Sequence, residues 1–259
     1  MAPSIMITGG TGNLGRRVTP LLHAAGCDLR VLSRGRREPG DTAGGIEYLT
    51  GDLTTGEGVA AAVDGADIVL HLAGGAKGDD VVARNLVRAV SGTGVRHLVF
   101  ISVIGADRVP LAWLRTKLAA EQEIAGSGIP FTTLRAAQFH DLLLMVVEKM
   151  AKLPVLPVPG GLRFEPVDAG DVARRLADLT LGEPAGLVPD LAGPRVYGLG
   201  DLAGSYLDAR GKRRMRLPVR IPGKPGRAYR AGRNLAQDGA DRGKRTWEEF
   251  LAERLPEGS

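Results

Sequence analysis

The run Ile5-Met-Ile-Thr-Gly-Gly-Thr-Gly-Asn-Leu-Gly15 constrains the fold more than any other part of the chain. A short apolar strand enters glycines at 9, 12 and 15 directly, and a helix-like segment, Arg16 to Ala25, follows. Glycine at the first position allows a sharp turn, because no side chain forbids positive φ. The second glycine lets the main chain approach a pyrophosphate, and the third lets helix and strand pack closely. Thr11, Asn13 and Leu14 fill the turn, and the helix N-terminus offers N–H groups and partial positive charge to phosphates. A bare glycine triplet marks only a tight turn; the flanking strand and helix make it a nucleotide-binding signal.

The pattern beyond it alternates. Ser4–Thr8, Asp28–Ser33, Gly45–Asp52, Asp67–Ala73, Arg96–Ser102 and Phe131–Arg135 read as six strands. Leu14–Ala25, Gly58–Val63, Asp80–Thr93 and Leu111–Ser127 carry apolar residues at helical spacing. Val82, Leu86 and Val90 make one such stripe, which leaves Arg84 and Arg88 outward. The expected fold is α/β, a doubly wound parallel sheet covered on both faces. Right-handed crossovers put all strand C-termini on one ligand-binding edge. After residue 135 the regularity fades. Asp141–Lys152, Asp171–Thr180 and Thr246–Arg254 read as helices, the last with Trp247, Phe250 and Leu251 as packing residues. Pro154, Pro157 and Pro159 with Gly160 and Gly161 read as a loop or linker. The expected division is a nucleotide-binding core over 1–152 and a C-terminal lobe over 153–259 that completes a substrate cleft and lends some core elements.

Composition narrows the partners. No apolar run is long enough to span a membrane, and the chain enters a strand at once, so no signal peptide is expected. Cys27 is the only cysteine, which fits a reducing compartment and a cytoplasmic location. The net charge is +5, yet Arg210–Arg233 holds ten Lys or Arg and no acid, leaving the remainder at −5. With Tyr229 as its one aromatic, that run lacks the stacking platform of a single-strand binder. It also lacks helix-turn-helix or zinc-finger spacing. The expectation is a solvated surface lining the mouth of a cleft for an anionic ligand, and no nucleic-acid partner. His23, His71 and His97 show no grouping with cysteines or acids, so no metal is expected.

Chemistry is expected at the strand ends. After the second strand comes Ser33-Arg-Gly-Arg-Arg37. Arginine there accommodates the 2′-phosphate of NADP, where an acid would bind the ribose of NAD. Arg34 offers a planar fork and Ser33 a hydroxyl, with Arg36 and Arg37 adding field; a plain solvated turn is the alternative. NADP(H) is thus the expected cofactor. Asp52, followed by Leu53, can accept from the adenine amino group or cap the next turn. Ala73 and Gly74 are small enough for a cofactor to lie against the backbone.

Thr8-Gly-Gly-Thr-Gly-Asn-Leu-Gly15, Gly51-Asp-Leu53, His71-Leu-Ala73, Asn85-Leu-Val-Arg-Ala-Val90 and Gly94-Val-Arg-His-Leu-Val-Phe-Ile-Ser102 occur in the order seen in the short-chain dehydrogenase/reductase superfamily. The chain most resembles its atypical branch, with NmrA-like proteins and NAD(P)H-binding reductases. Arg245-Thr-Trp-Glu-Glu-Phe-Leu251 is similar to tails in bacterial members. The resemblance is strong to about residue 135. It implies a Rossmann-like core and a small C-terminal substrate lobe over the nicotinamide end.

The chain departs from that family at Trp113-Leu-Arg-Thr-Lys117, where the pattern is Tyr-x-x-x-Lys. Helical spacing puts Trp113 and Lys117 on one face. Indole has no titration near neutrality, so Trp113 cannot act as general acid or base and is expected to shape the substrate pocket. The resemblance gives Lys117 the nicotinamide ribose; a solvent-facing helix lysine is the alternative. Ser102 can orient substrate or satisfy backbone groups. In Arg135-Ala-Ala-Gln-Phe-His-Asp141, a loop that borders the nicotinamide in the family, Gln138 and Phe139 are candidate substrate contacts. His140 is a candidate proton donor, with a structural role as its alternative. Two functions follow: an NADPH-dependent reductase of a quinone, enone or other carbonyl-type small molecule, or a non-catalytic NmrA-like redox sensor. Monomer and homodimer are both compatible with the sequence.

Overall fold

The computed structural model describes residues 2–35 and 42–255. Strand β1 (Ser4–Thr8) turns through the glycines into α1 (Gly15–Ala24), and β2 (Asp28–Ser33) follows. A short β3 (Thr42–Ala43) pairs antiparallel with β4 (Ile46–Thr50). Next come α2 (Val59–Val63), β5 (Ile68–His71), α3 (Asp79–Val90), β6 (His97–Val103), α4 (Ala112–Ala125) and β7 (Phe131–Ala136). They are followed by α5 (His140–Ala151), β8 (Val155–Pro159), β9 (Arg163–Phe164), α6 (Ala169–Leu181), β10 (Gly186–Leu187), β11 (Leu191–Ala192) and β12 (Tyr197–Gly198). The described chain closes with α7 (Leu199–Ala209), β13 (Met215–Val219), α8 (Gly223–Arg230), β14 (Asp241–Arg242) and α9 (Trp247–Arg254).

These elements form two compact units, each drawn from several stretches of the chain. The first comprises Met1–Ser102, Ala112–Leu134 and Val172–Val188. The late segment belongs there because β10 pairs parallel with β7, Gly186 opposite Thr132. The sheet of this unit runs β3-β4-β2-β1-β5-β6-β7. β4, β2, β1, β5 and β6 are parallel to one another. In register, Thr8 faces Leu32 and His71, and Ser33 faces Thr50, so the chemistry-bearing ends share one edge. The strand order reverses at β1, with β2 on one side and β5 on the other, and ligands bind at such a switch point.

Helical periodicity explains how the sheet is covered. In α3, Ala83, Leu86, Val87 and Val90 are buried, while Arg84 and Arg88 are exposed. That stripe packs into a cluster with Met6, Val69, Leu98, Phe100 and Ile124. Each fully buried Leu or Val contributes about 1.5–3 kcal/mol relative to exposure.

The second unit comprises Val103–Leu111, Arg135–Asp171 and Pro189–Ser259. Its own core gathers Leu143, Val147, Leu156, Leu202, Tyr206, Trp247 and Phe250. Helix α9 opens with a capping box in which Glu249 N donates to Thr246 Oγ1 and Thr246 N to Glu249. Within this unit the expected loop around Pro154–Gly161 is corrected. Val155–Pro159 is a strand, paired in parallel with β13, Pro157 opposite Leu217 and Pro159 opposite Val219. Proline lacks the N–H of a central strand, but among the described residues β8 pairs with β13 alone, and an edge tolerates the missing donors.

Candidate functional site

The glycine turn is built by backbone geometry. Gly9 has φ +70°, and a Cβ there would lie 2.6 Å from Ala73 N. At Gly15 a Cβ would lie 2.3 Å from Gly9 O, so the start of α1 can close on the turn only without a side chain. Gly12 N donates to Gly9 O, and Arg16 N to Gly12 O, which leads the turn into the helix. The helix start has no side-chain cap and no acid in its first turn, so its partial positive charge stays uncancelled.

Beside this turn lies a cleft of about 560 Å³. The structure gathers Gly9, Thr11, Gly12, Ser33, Arg34, Asp52, Leu53, Ala73 and Gly74 along its wall. Asn13, Leu14 and Gly15 do not line it. Leu14 and Gly15 are buried at the start of α1, and Asn13 is held by Arg17, whose Nη1 donates to Asn13 O at 2.7 Å. Arg36 and Arg37 lie outside the described residues. Asp52 Oδ1 accepts from Thr54 N at 2.8 Å, so this carboxylate caps its own turn while facing the cleft. That backbone bond, and more weakly the charge of Arg34, hold its carboxyl below the usual range.

A buried polar chain backs the cleft. Helices α3 and α4 pack together, which brings Lys117 Nζ to 3.2 Å from Asp79 Oδ2, the two side chains 9 % and 4 % exposed. Asp79 Oδ1 also accepts from Gly75 N at 2.9 Å. Lys117 Nζ sits 5.0 Å over the Phe100 ring, and Phe100 stacks on His71. His71 Nδ1 lies 2.6 Å from Thr8 Oγ1, which accepts from Ala73 N. Burial, with the nearby Lys117 charge, pushes the His71 ring down to about 3, so it is neutral at physiological pH. A Cβ at Gly74 would lie 2.8 Å from Lys117 Nζ, so the ammonium packs close against the bare backbone there. Ser102 is buried and donates its hydroxyl to Glu121, one turn beyond Lys117 on α4. Trp113, one turn before Lys117, is half-buried.

Residues 9–153 match a family described as NAD(P)H-binding. The chain belongs to that family. The Rossmann-like fold that the sequence resemblance implies is the fold observed. An NAD(P)H azoreductase of Xenophilus azovorans is 27% identical over 172 residues, 65% of this chain and 60% of that protein. The photosystem II assembly factor Ycf39 of Trieres chinensis is 26% identical over 185 residues, 66% of this chain and 57% of that protein. The chain thus spans little more than half the length of these relatives. In fold it is similar to the NADPH-dependent quinone oxidoreductase of Escherichia coli, solved with NADPH (TM-score 0.81, 21% identity, 96% of this chain and 99% of that one). The triphenylmethane reductase of Citrobacter is comparable (TM-score 0.78, 20% identity, 97% and 99% covered).

The residues present fit the family's dinucleotide. Gly12 lies on the cleft wall, where a Cβ would meet only Gly9 O at 3.2 Å, so its bare backbone is open to a pyrophosphate. Sequence reasoning missed the loop after β5: Gly75, Lys77 and Asp79 line the cleft, as do Thr54 and Val82. In the sequence, nothing about the acid at the start of α3 points to a partner 38 residues away.

The other expected site residues belong to the second unit. Gln138 O accepts from Val167 N and Val167 O from His140 N, both at 3.1 Å, which fixes the start of α5. Gln138 Oε1 is buried and has no hydrogen-bond partner among the described residues, and Phe139 is half-buried. His140 is fully buried against Trp247 and Phe250, which also contact each other, and its Nδ1 lies 4.0 Å from Asp168. The His140 ring, with Gly170 N and the charge of Arg245, holds the Asp168 carboxyl well below its ordinary range. Among the described residues no cluster of three or more His, Cys, Asp or Glu could hold a metal ion, and no helix is long and apolar enough to cross a membrane.

Proposed function

We propose that this chain is an NADPH-dependent oxidoreductase that reduces a quinone or another activated carbonyl-type acceptor, without a tyrosine acid. The observation that carries the reading is the pairing of Arg34 and Ser33 on the cleft wall with Trp113 on the lysine-bearing face of α4. Bound in the cleft, the nicotinamide supplies a hydride. The glycine turn and the start of α1 hold the pyrophosphate, and Arg34 supplies a fork for the 2′-phosphate that distinguishes NADP from NAD. The role assigned to Lys117, paired with Asp79, is to hold the nicotinamide ribose, as the family resemblance implies. An acceptor whose reduced form is stabilised by its own conjugation needs little acid catalysis, and solvent can complete its protonation. The azoreductase and quinone oxidoreductase relatives support this acceptor class. The single buried cysteine suits a reducing compartment, and we place the protein in the cytoplasm.

The test is NADPH oxidation followed at its near-ultraviolet absorbance with a panel of quinones, enones, azo dyes and simple ketones. Turnover is expected with quinones or azo dyes and not with simple ketones. Tight, redox-selective binding with no turnover on any acceptor would instead mark a sensor, the reading that the absent tyrosine also favours.

A further inference from the structure

The second unit holds a pocket that no step of the proposed reduction uses. Its volume is about 480 Å³, and every charged side chain on its wall is a cation: Arg108, Lys224, Arg227 and Arg233. Pro110, Ala228 and Ala231 form the apolar part of the wall.

Local structure explains the convergence. Lys224, Arg227, Ala228 and Ala231 recur at three- and four-residue spacing along α8 and its end, so they share one face. The helix then closes on Gly232 at φ +71°, with Gly232 N donating to Tyr229 O and Arg233 N to Ala228 O. This paired closure returns the chain along the helix and brings Arg233 to the same wall. Arg108 is fastened to the following segment, its Nη2 donating to Leu235 O at 3.2 Å.

The electrostatics leave a vacancy for charge. Arg108 is partly answered by acids, its Nε 3.4 Å from Asp107 and its Nη2 4.0 Å from Asp190, so the uncompensated charge lies on the other three cations. Lys224, Arg227 and Arg233 have no ion pair among the described residues. Unpaired cations around a concavity reinforce one another's potential, because low-dielectric walls focus the field. A monocarboxylate would leave most of that charge unanswered. A dianion with several acceptor oxygens answers it, and guanidinium forks match its geometry. Among the described residues no aromatic side chain lines the wall, so they give nucleobases no stacking surface.

We propose that this pocket binds the phosphate of a small phosphate monoester, with Arg227, Arg233 and Lys224 as its principal contacts. The apolar part of the wall receives the carbon skeleton that carries the phosphate.

Phenyl phosphate is the probe, titrated calorimetrically into the full chain saturated with NADPH. Saturable binding is expected, weakening as sodium chloride screens the cations. Arg227→Ala with Arg233→Ala should weaken it by about tenfold or more, since each charge-assisted contact is worth a sizeable part of a decade. Both side chains are exposed, so the variant keeps its core, and an unchanged melting temperature verifies this. Arg34→Ala should leave the probe's affinity unaltered. Absence of saturable binding, equal affinity in the double variant, or loss of binding in Arg34→Ala overturns the proposal. So does benzoate or inorganic phosphate binding as tightly as phenyl phosphate.

Discussion

The glycine turn and the lysine-bearing face of α4 both belong to the first unit, yet they are specified in different ways. The turn uses backbone atoms of residues adjacent in sequence: Gly9, Gly12 and Gly15 matter for the side chains they lack. Lys117 depends on Asp79, Phe100 and Gly74, brought to it by α3, β6 and the loop after β5. Backbone chemistry is local and survives in the sequence pattern. A buried charge pair is assembled by packing, and its partner can sit anywhere along the chain.

The largest expected effect breaks the second arrangement. Lys117→Met leaves the Asp79 carboxylate buried without its cation, which should cost about 3–5 kcal/mol in urea unfolding. Adding Asp79→Asn should restore much of that loss. If the double variant is no more stable than the single one, the pair is not the reason for the burial. Next in size is the turn itself. Gly15→Ala puts a methyl group against Gly9 O and should destabilise by about 1–3 kcal/mol, while sharply weakening NADPH binding. Wild-type affinity in that variant would show that the closeness of helix and turn is unimportant.

His71 sharpens the comparison through pH. Its folded value is about 3, below the ordinary value of 6.5. As pH falls below 6.5 the unfolded chain takes up a proton that the folded chain refuses, so stability declines with falling pH. The slope approaches about 1.4 kcal/mol per pH unit. Between pH 6.5 and 5, above most carboxylate titrations, His71→Gln should flatten that slope; an unaltered slope would contradict the buried neutral ring. Arg34→Ala should weaken NADPH by about tenfold and NADH far less, since only NADPH carries the extra phosphate. Equal weakening would remove the phosphate assignment. Trp113→Phe should leave kcat/KM nearly unchanged with the best acceptor. A collapse in rate with folding intact would give the indole a larger part than shaping the pocket.

Much of the first unit was legible. β1 and β2 have the bounds their sequence patterns indicate, and α4 lies within the expected Leu111–Ser127. The strand ends carrying Ser33, Asp52 and Ala73 meet at one cleft because parallel strands with right-handed crossovers put their C-termini on one edge. The second unit was less legible. Three prolines hid β8, because proline reads as a breaker wherever the edge that tolerates it is unseen. His140 was weighed as a titrating group, and the structure buries it against two aromatic rings of α9, more than 100 residues later.

The sequence by itself determined the α/β alternation, the glycine turn between β1 and α1 and the absence of a tyrosine at position 113. Each depends on periodicity or on one residue's own chemistry, which needs no partner. Tertiary structure alone decided that Lys117 is buried against Asp79 and packs close to Gly74, and that four cations scattered from Arg108 to Arg233 line one pocket. Those facts depend on distances between residues far apart in the chain, and only folding sets such distances.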